Sequence, residues 1–135
     1  MKETINDTEQ SRSLVTELIE AFGRLDLTRI REIVSPDADW WVVGRQSEKR
    51  DTILNSFQNL GRGLAVKGHV DILNSIAENN QVVIEWSGAL EFSDGRIYSN
   101  EYVWIVTVQD LKIIDIRVYN NMDKIRSFFQ ADPPA

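Results

Sequence analysis

Apolar positions recur along the chain with two different periods, and the change of period divides it. Up to about residue 60 they repeat every three or four residues. Leu14, Val15, Leu18, Ile19 and Phe22 form one stripe, and Ile30, Ile33 and Val34 form a second. Asp7 or Thr8 can cap the first helix, Gly23 lies near its end, and Asp26 caps the second. Ser35-Pro36 stops that second helix, because the residue before a proline is pushed out of the helical region. The run DWWVVG (39–44) is aromatic and β-branched and ends on glycine, so it reads as a strand. A third helix is expected over 47–60, with Ile53, Leu54, Phe57 and Leu60 on one side and Gly61-Arg62-Gly63 as its stop.

Beyond that stop the period becomes two. Strands are expected over 65–77, 82–92, 98–108 and 112–120, separated by turns at 78–80, 93–95 and 109–111. Turns this short make neighbouring strands pair antiparallel as a meander. Three N-terminal helices followed by an antiparallel sheet give an α+β class, with the sheet curved into a cone around an internal pocket. One domain over residues 1–130 accounts for the length, and the proline-bearing residues 131–135 read as a tail.

Alternation assigns the faces. Val82, Ile84, Trp86, Gly88 and Leu90 share one side of their strand, and Tyr98, Asn100, Tyr102, Trp104, Val106 and Val108 one side of the next. In the last strand Ile114, Ile116 and Val118 oppose Asp115, Arg117 and Tyr119. The apolar faces must meet the helices, which leaves two readings open: a core filled by tryptophans, or the wall of a cavity. Trp and Tyr carry polar atoms that need partners when buried, and a glycine inside a strand marks a bend, a bulge or space beside the backbone. On the cavity reading, Trp40, Val42, Trp86, Trp104, Ile116 and Val118 line a site for a hydrophobic small molecule. Tyr102 and Asn100 are then the candidate catalytic pair, neutral donors able to polarise a carbonyl oxygen. Their plainer reading is a hydrogen bond tying the sheet edge to a helix or loop. Tyr98, nearer the turn, is expected to be more exposed. The opposite face carries Val83, Ala89, Val103 and Ile105 among charges, a surface suited to a two-fold homodimer.

Composition narrows the chemistry. A net charge of −6 with scattered Lys and Arg argues against nucleic acid. Without cysteine there is neither a disulfide nor a thiolate site. His69, the one histidine, lacks the carboxylates a zinc site would need, so no metal and no cofactor is implied. His69 beside Asp71 reads as a surface pair or, less favoured, a general base; Asp39 reads as a solvated acid. No window has the eighteen apolar residues of a membrane span, and MKETINDTEQ lacks the apolar run of a signal peptide, which makes the cytoplasm the expected location.

Three stretches carry a resemblance. DADWWVVG (37–44), NSIAENNQVVIEWSGAL (74–90) and GRIYSNEYVWIVTVQDLKIIDIRVYNN (95–121) resemble, in that order, the strand after the second helix and the two hairpins of the SnoaL-like, ketosteroid-isomerase-like superfamily. That superfamily uses a cone-shaped α+β fold, shared with nuclear transport factors, and hosts isomerases, cyclases, dehydratases, epoxide hydrolases and non-enzymes. The resemblance covers nearly the whole chain and implies the fold more strongly than any reaction. Two active sites known in the superfamily are missing. The isomerase base, tyrosine and protonated aspartate fall near Val42, Leu18 and Trp104. The epoxide-hydrolase set falls near Trp86, Gly88 and Val118, and Asn120 and Asn121 replace an acid often found after the Arg-x-Tyr strand.

Overall fold

The computed structural model describes residues 4–61 and 65–130; the expected tail at 131–135 and Arg62 and Gly63 of the expected Gly61-Arg62-Gly63 stop lie outside the described residues. Helix α1 spans Thr4–Gly23 and α2 spans Leu27–Ile33. Asp26 caps α2 as its type requires, its side chain accepting the Arg29 N–H at 3.0 Å. Asp7 and Thr8 do not cap α1, because the helix begins before them. The Thr8 hydroxyl instead accepts the N–H of Asn79, 2.9 Å away on a distant turn.

Strand β1 (Val34–Val42) follows α2 directly, so Ser35-Pro36 ends the helix and also enters the sheet. Proline has no N–H to give a ladder, and the β1 register is irregular between Val34 and Asp39. Helix α3 (Arg50–Gly61) then leads to the meander: β2 (Ala65–Glu78), β3 (Gln81–Phe92), β4 (Ile97–Gln109) and β5 (Lys112–Asn120). A fourth helix, α4 (Met122–Gln130), closes the order.

The five strands lie in the order β1-β5-β4-β3-β2, and β1 runs parallel to β5 while the other pairs are antiparallel. The sheet is therefore mixed, which corrects the antiparallel expectation. Short turns force antiparallel neighbours only within the meander. Strand β1 reaches β2 through α3, at the opposite edge of the sheet, so no hairpin sets its direction.

The inner face of the sheet meets α1, α2 and α3. Val15, Leu18 and Ile19 of α1, Ile30 of α2 and Leu54 of α3 are fully buried against Val82, Ile84, Val106 and Ile116. One alternation fails. Thr107 pairs with Asp115 but Val108 pairs with Ile113, so β5 carries an extra residue there. This bulge turns Ile113 into the core and leaves Ile114 half-buried. Two glycines let α1 approach the sheet: a Cβ at Gly68 would stand 2.5 Å from the Gly23 carbonyl oxygen.

Candidate functional site

A cavity of about 170 Å³ opens where the end of α1 and the side of α4 meet strands β2 to β4. Trp86 of β3 and Tyr102 of β4 are opposite each other in the ladder, and their rings stack at 4.2 Å and 19° to form one wall. Gly88 explains how the indole lies there. A Cβ at that position would fall 2.7 Å from Trp86 Cζ3, so the missing side chain is the space the ring occupies. Leu90, Phe92 and Tyr98 extend the wall toward the mouth, Phe22 and Phe57 face it from α1 and α3, and Ile125 of α4 covers it.

The polar part of the wall is a short chain of side chains. The Asn100 amide nitrogen donates to Tyr98 Oη at 2.7 Å and to the Asn121 carbonyl at 3.0 Å. Its Oδ1 accepts the N–H groups of Glu101 and Asn121 at 2.8 and 3.2 Å. Tyr98 Oη in turn lies 3.1 Å from Tyr102 Oη. Asn100 is thus the clamp that ties β4 to the start of α4, which is the plainer of its two sequence readings. Burial holds both phenols above the ordinary tyrosine range. For Tyr98 its hydrogen bonds with Tyr102 and Asn100 oppose that push, whereas at Tyr102 the neighbouring Tyr98 adds to it. Both phenols stay protonated at neutral pH, so they offer the cavity neutral hydroxyls rather than phenolates.

Of the residues singled out in the sequence, Trp86 and Tyr102 line this cavity, and Asn100 stands beneath it, 2% exposed. Trp40, Trp104, Ile116 and Val118 belong to the packed core, and Val42 rests against it. Trp104 is wedged edge-to-face among Phe22, Trp40 and Trp86 at 5.4, 5.9 and 5.5 Å. The buried indole nitrogens of Trp86 and Trp104 have no oxygen partner among the described residues. Edge-to-face packing is the arrangement in which an N–H can rest on a π face. Tyr98 is 7% exposed, against the expectation that the nearby turn would expose it. The reason is α4, whose Phe128 ring sits 5.5 Å from that of Tyr98 and 5.0 Å from that of Phe92.

The sequence reading assigned no element to residues 121–130 and so missed this cover. The signal was present: Met122, Ile125 and Phe128 recur at helical spacing, and Asn121 Oδ1 accepts the Asp123 N–H at 3.1 Å as a helix start. Asp39 does not line the cavity, whereas His69 does, at the rim with its side chain turned mostly to solvent. Asp39 is exposed and pairs with Lys49 at 2.8 Å, and the His69 side chain, 68% exposed, pairs with Asp71 at 3.2 Å. The described residues lining the cavity include no Asp, Glu, Lys or Arg, and the described residues contain no cluster able to hold a metal ion.

Structures of known proteins share this architecture. AclR of Streptomyces galilaeus, a candidate hydroxylase, superposes with a TM-score of 0.78 at 16% identity, over 95% of this chain and 85% of that one. A candidate SnoaL-like polyketide cyclase from a Jannaschia species gives 0.75 at 17% identity, over 94% and 96%. An LEH-like epoxide hydrolase of M. tuberculosis gives 0.73 at 16% identity, over 91% and 86%. At these identities the likeness is one of fold. Among curated proteins no sequence matches significantly. The family model for the SnoaL-like domain matches residues 15–116, from the first helix to the last strand, and the chain belongs to that family.

Proposed function

We propose that this chain binds a neutral, hydrophobic small molecule in the cavity between Trp86, Tyr102, Phe22 and Ile125. The observation that carries the reading is the make-up of the wall, aromatic and aliphatic almost throughout, with the Tyr98–Tyr102 hydroxyl pair inside it and His69 at its rim as polar side chains. Such sites take ligands by apolar burial and use a few polar groups to orient them. Membership of a family whose solved relatives include an epoxide hydrolase and a candidate polyketide cyclase supports a small-molecule ligand.

If a reaction follows binding, this wall limits it. With no carboxylate among the described lining residues, acid–base chemistry by the residues of the two missing family sites has no agent there. What is left is polarisation of a carbonyl by Tyr102, which serves isomerase-, cyclase- or dehydratase-type steps whose proton moves are easy. Simple binding needs no titrating group and fits the wall more economically. Titrating the protein with steroid-like, terpenoid and polyketide-like compounds tests the reading, because Trp86 reports on its own wall. Saturable change in tryptophan emission is expected, and filling the cavity with Leu90→Phe should abolish it. Unchanged emission with every compound would favour a purely structural domain. We further propose that two copies pair through the outer face of the sheet, as its apolar content supports.

A further inference from the structure

Resting on the binding reading above, the dimensions of the cavity indicate how large its ligand can be, and one pair of residues sets them. Trp86 and Gly88 stand two positions apart on β3 and so share its inner face. Trp86 is buried at the boundary between packed core and cavity. Its indole meets Trp104 edge-to-face at 5.5 Å on the core side and stacks on Tyr102 at 4.2 Å. The six-membered ring leans along the strand over Gly88, where a Cβ would stand 2.7 Å from Cζ3 and 3.4 Å from Cε3. Held from these three directions in a close-packed interior, the ring has no room to swing aside for a ligand. It is a fixed partition.

The space left on the cavity side is about 170 Å³. An apolar cavity of about 150 Å³ holds a benzene, whereas drug-sized ligands occupy about 300–1,000 Å³. Helix α4 confines the other side, with Ile125 on the lining and the Phe128 ring 5.0 Å from that of Phe92. We propose that the Trp86–Gly88 pair is the size-determining element of the cavity. It admits an apolar body of one ring or two fused rings and excludes skeletons of three or four rings, the steroid skeleton among them. Without the glycine, the indole would have no seat against the strand; without the indole, the cavity would extend over that seat toward Trp104.

Aromatic hydrocarbons of rising size test this: p-xylene, naphthalene, phenanthrene and pyrene, each measured by equilibrium dialysis. They carry no polar atom, so His69 at the rim and the hydroxyls of Tyr98 and Tyr102 do not enter the comparison. An apolar site without a size limit would bind each larger member about tenfold tighter or more, because the gain grows with the area buried. Here affinity should rise from p-xylene to naphthalene, then fall about tenfold or more at phenanthrene, with pyrene at background. Trp86→Leu removes the partition and should bring phenanthrene to naphthalene's affinity or beyond. Gly88→Ala should act in the opposite sense. With Tyr102 and Trp104 packed against it, the displaced indole moves into the cavity, so naphthalene should weaken about tenfold or more while p-xylene stays bound. Phenanthrene or pyrene binding the unaltered protein more tightly than naphthalene would overturn the proposal while the cavity reading stands, and so would a limit unmoved in Trp86→Leu protein that keeps its folded spectrum. Should that variant not fold, the order of affinities in the unaltered protein decides. If no member of the series binds, the cavity reading and the size limit fall together.

Discussion

Truncating Asn100 to alanine strips partners from four groups: the Tyr98 hydroxyl, the Asn121 carbonyl, and the N–H groups of Glu101 and Asn121. Buried polar groups left without partners cost about 1–3 kcal/mol each, though those near α4 can regain water. Asn100→Ala should therefore lower the unfolding free energy in urea by about 2–4 kcal/mol, and an unchanged midpoint would mean the clamp bears no weight. Asp115 behaves in the opposite sense. Burial first, then Asp39 opposite it on β1, push its carboxyl above the usual range, and Arg117 only partly offsets them. A raised folded-state pKa means that the folded protein holds the proton more tightly than the unfolded chain. The charged form thus destabilises the fold at neutral pH, and the loss is recovered as pH falls through the acid range. Asp115→Asn should raise Tm at pH 7, by an amount that shrinks on acidification; a Tm gain independent of pH would contradict that origin.

Among the elements, the β4–β5 hairpin has a two-residue loop, Asp110-Leu111, with φ of 52° and 60°. Two positive φ values suit the twist of a tight hairpin, but leucine accepts that region poorly, and Leu111 is 55% exposed with little packing to lose. Leu111→Gly should stabilise the protein by about 0.5–1 kcal/mol in urea unfolding; destabilisation would show that the leucine makes a contact that outweighs its strain. The site of this turn was legible, as were the other two, because turn residues interrupt a clear period of two. The strands β2 to β5 followed from that period to within a residue or two at their ends. The bulge at Ile113-Ile114 was not legible, since either isoleucine satisfies an apolar inward position and only the partner strand decides. The parallel placement of β1 depends on a crossover through α3 that local pattern does not encode. Helix α4 was legible in principle, from Met122, Ile125 and Phe128, and its omission is what hid the cavity: Tyr98 and Phe92 become walls only when a helix lies over them. For the same reason Trp86 and Tyr102 could be placed on an inner face, while the division of that face into core around Trp104 and cavity beside Trp86 could not.

At the scale of the whole molecule, the outer face of the sheet is where the charge pattern relents. Ladder partners set Ile76 beside Val83, Val83 beside Ile105, Ile105 beside Arg117, and Arg117 beside Trp41, and the next rung sets Val103 beside Tyr119. Arg117 lies over the Trp41 ring at 4.3 Å, so even this cation covers apolar surface. The band crosses all five strands, with Ile76 64% and Tyr119 37% exposed. Ala89 stands apart from it, between His69 and Ser99 on neighbouring strands, so it belongs to the polar margin rather than the centre. A two-fold contact opposes like surface with like, which an apolar band tolerates and a charged one does not. Ile105 is central to the band, and Ile105→Glu would set two carboxylates near the dyad, each losing water with only the Arg117 that already lies over Trp41 beside it. The unaltered protein should sediment at twice the chain mass and the variant at the mass of one chain, with the folded spectrum retained because Ile105 is only half-buried. Ser99→Glu, on the polar margin, should leave the dimer intact. A variant that kept the doubled mass, or an unaltered protein already at the mass of one chain, would remove this face as the contact between copies.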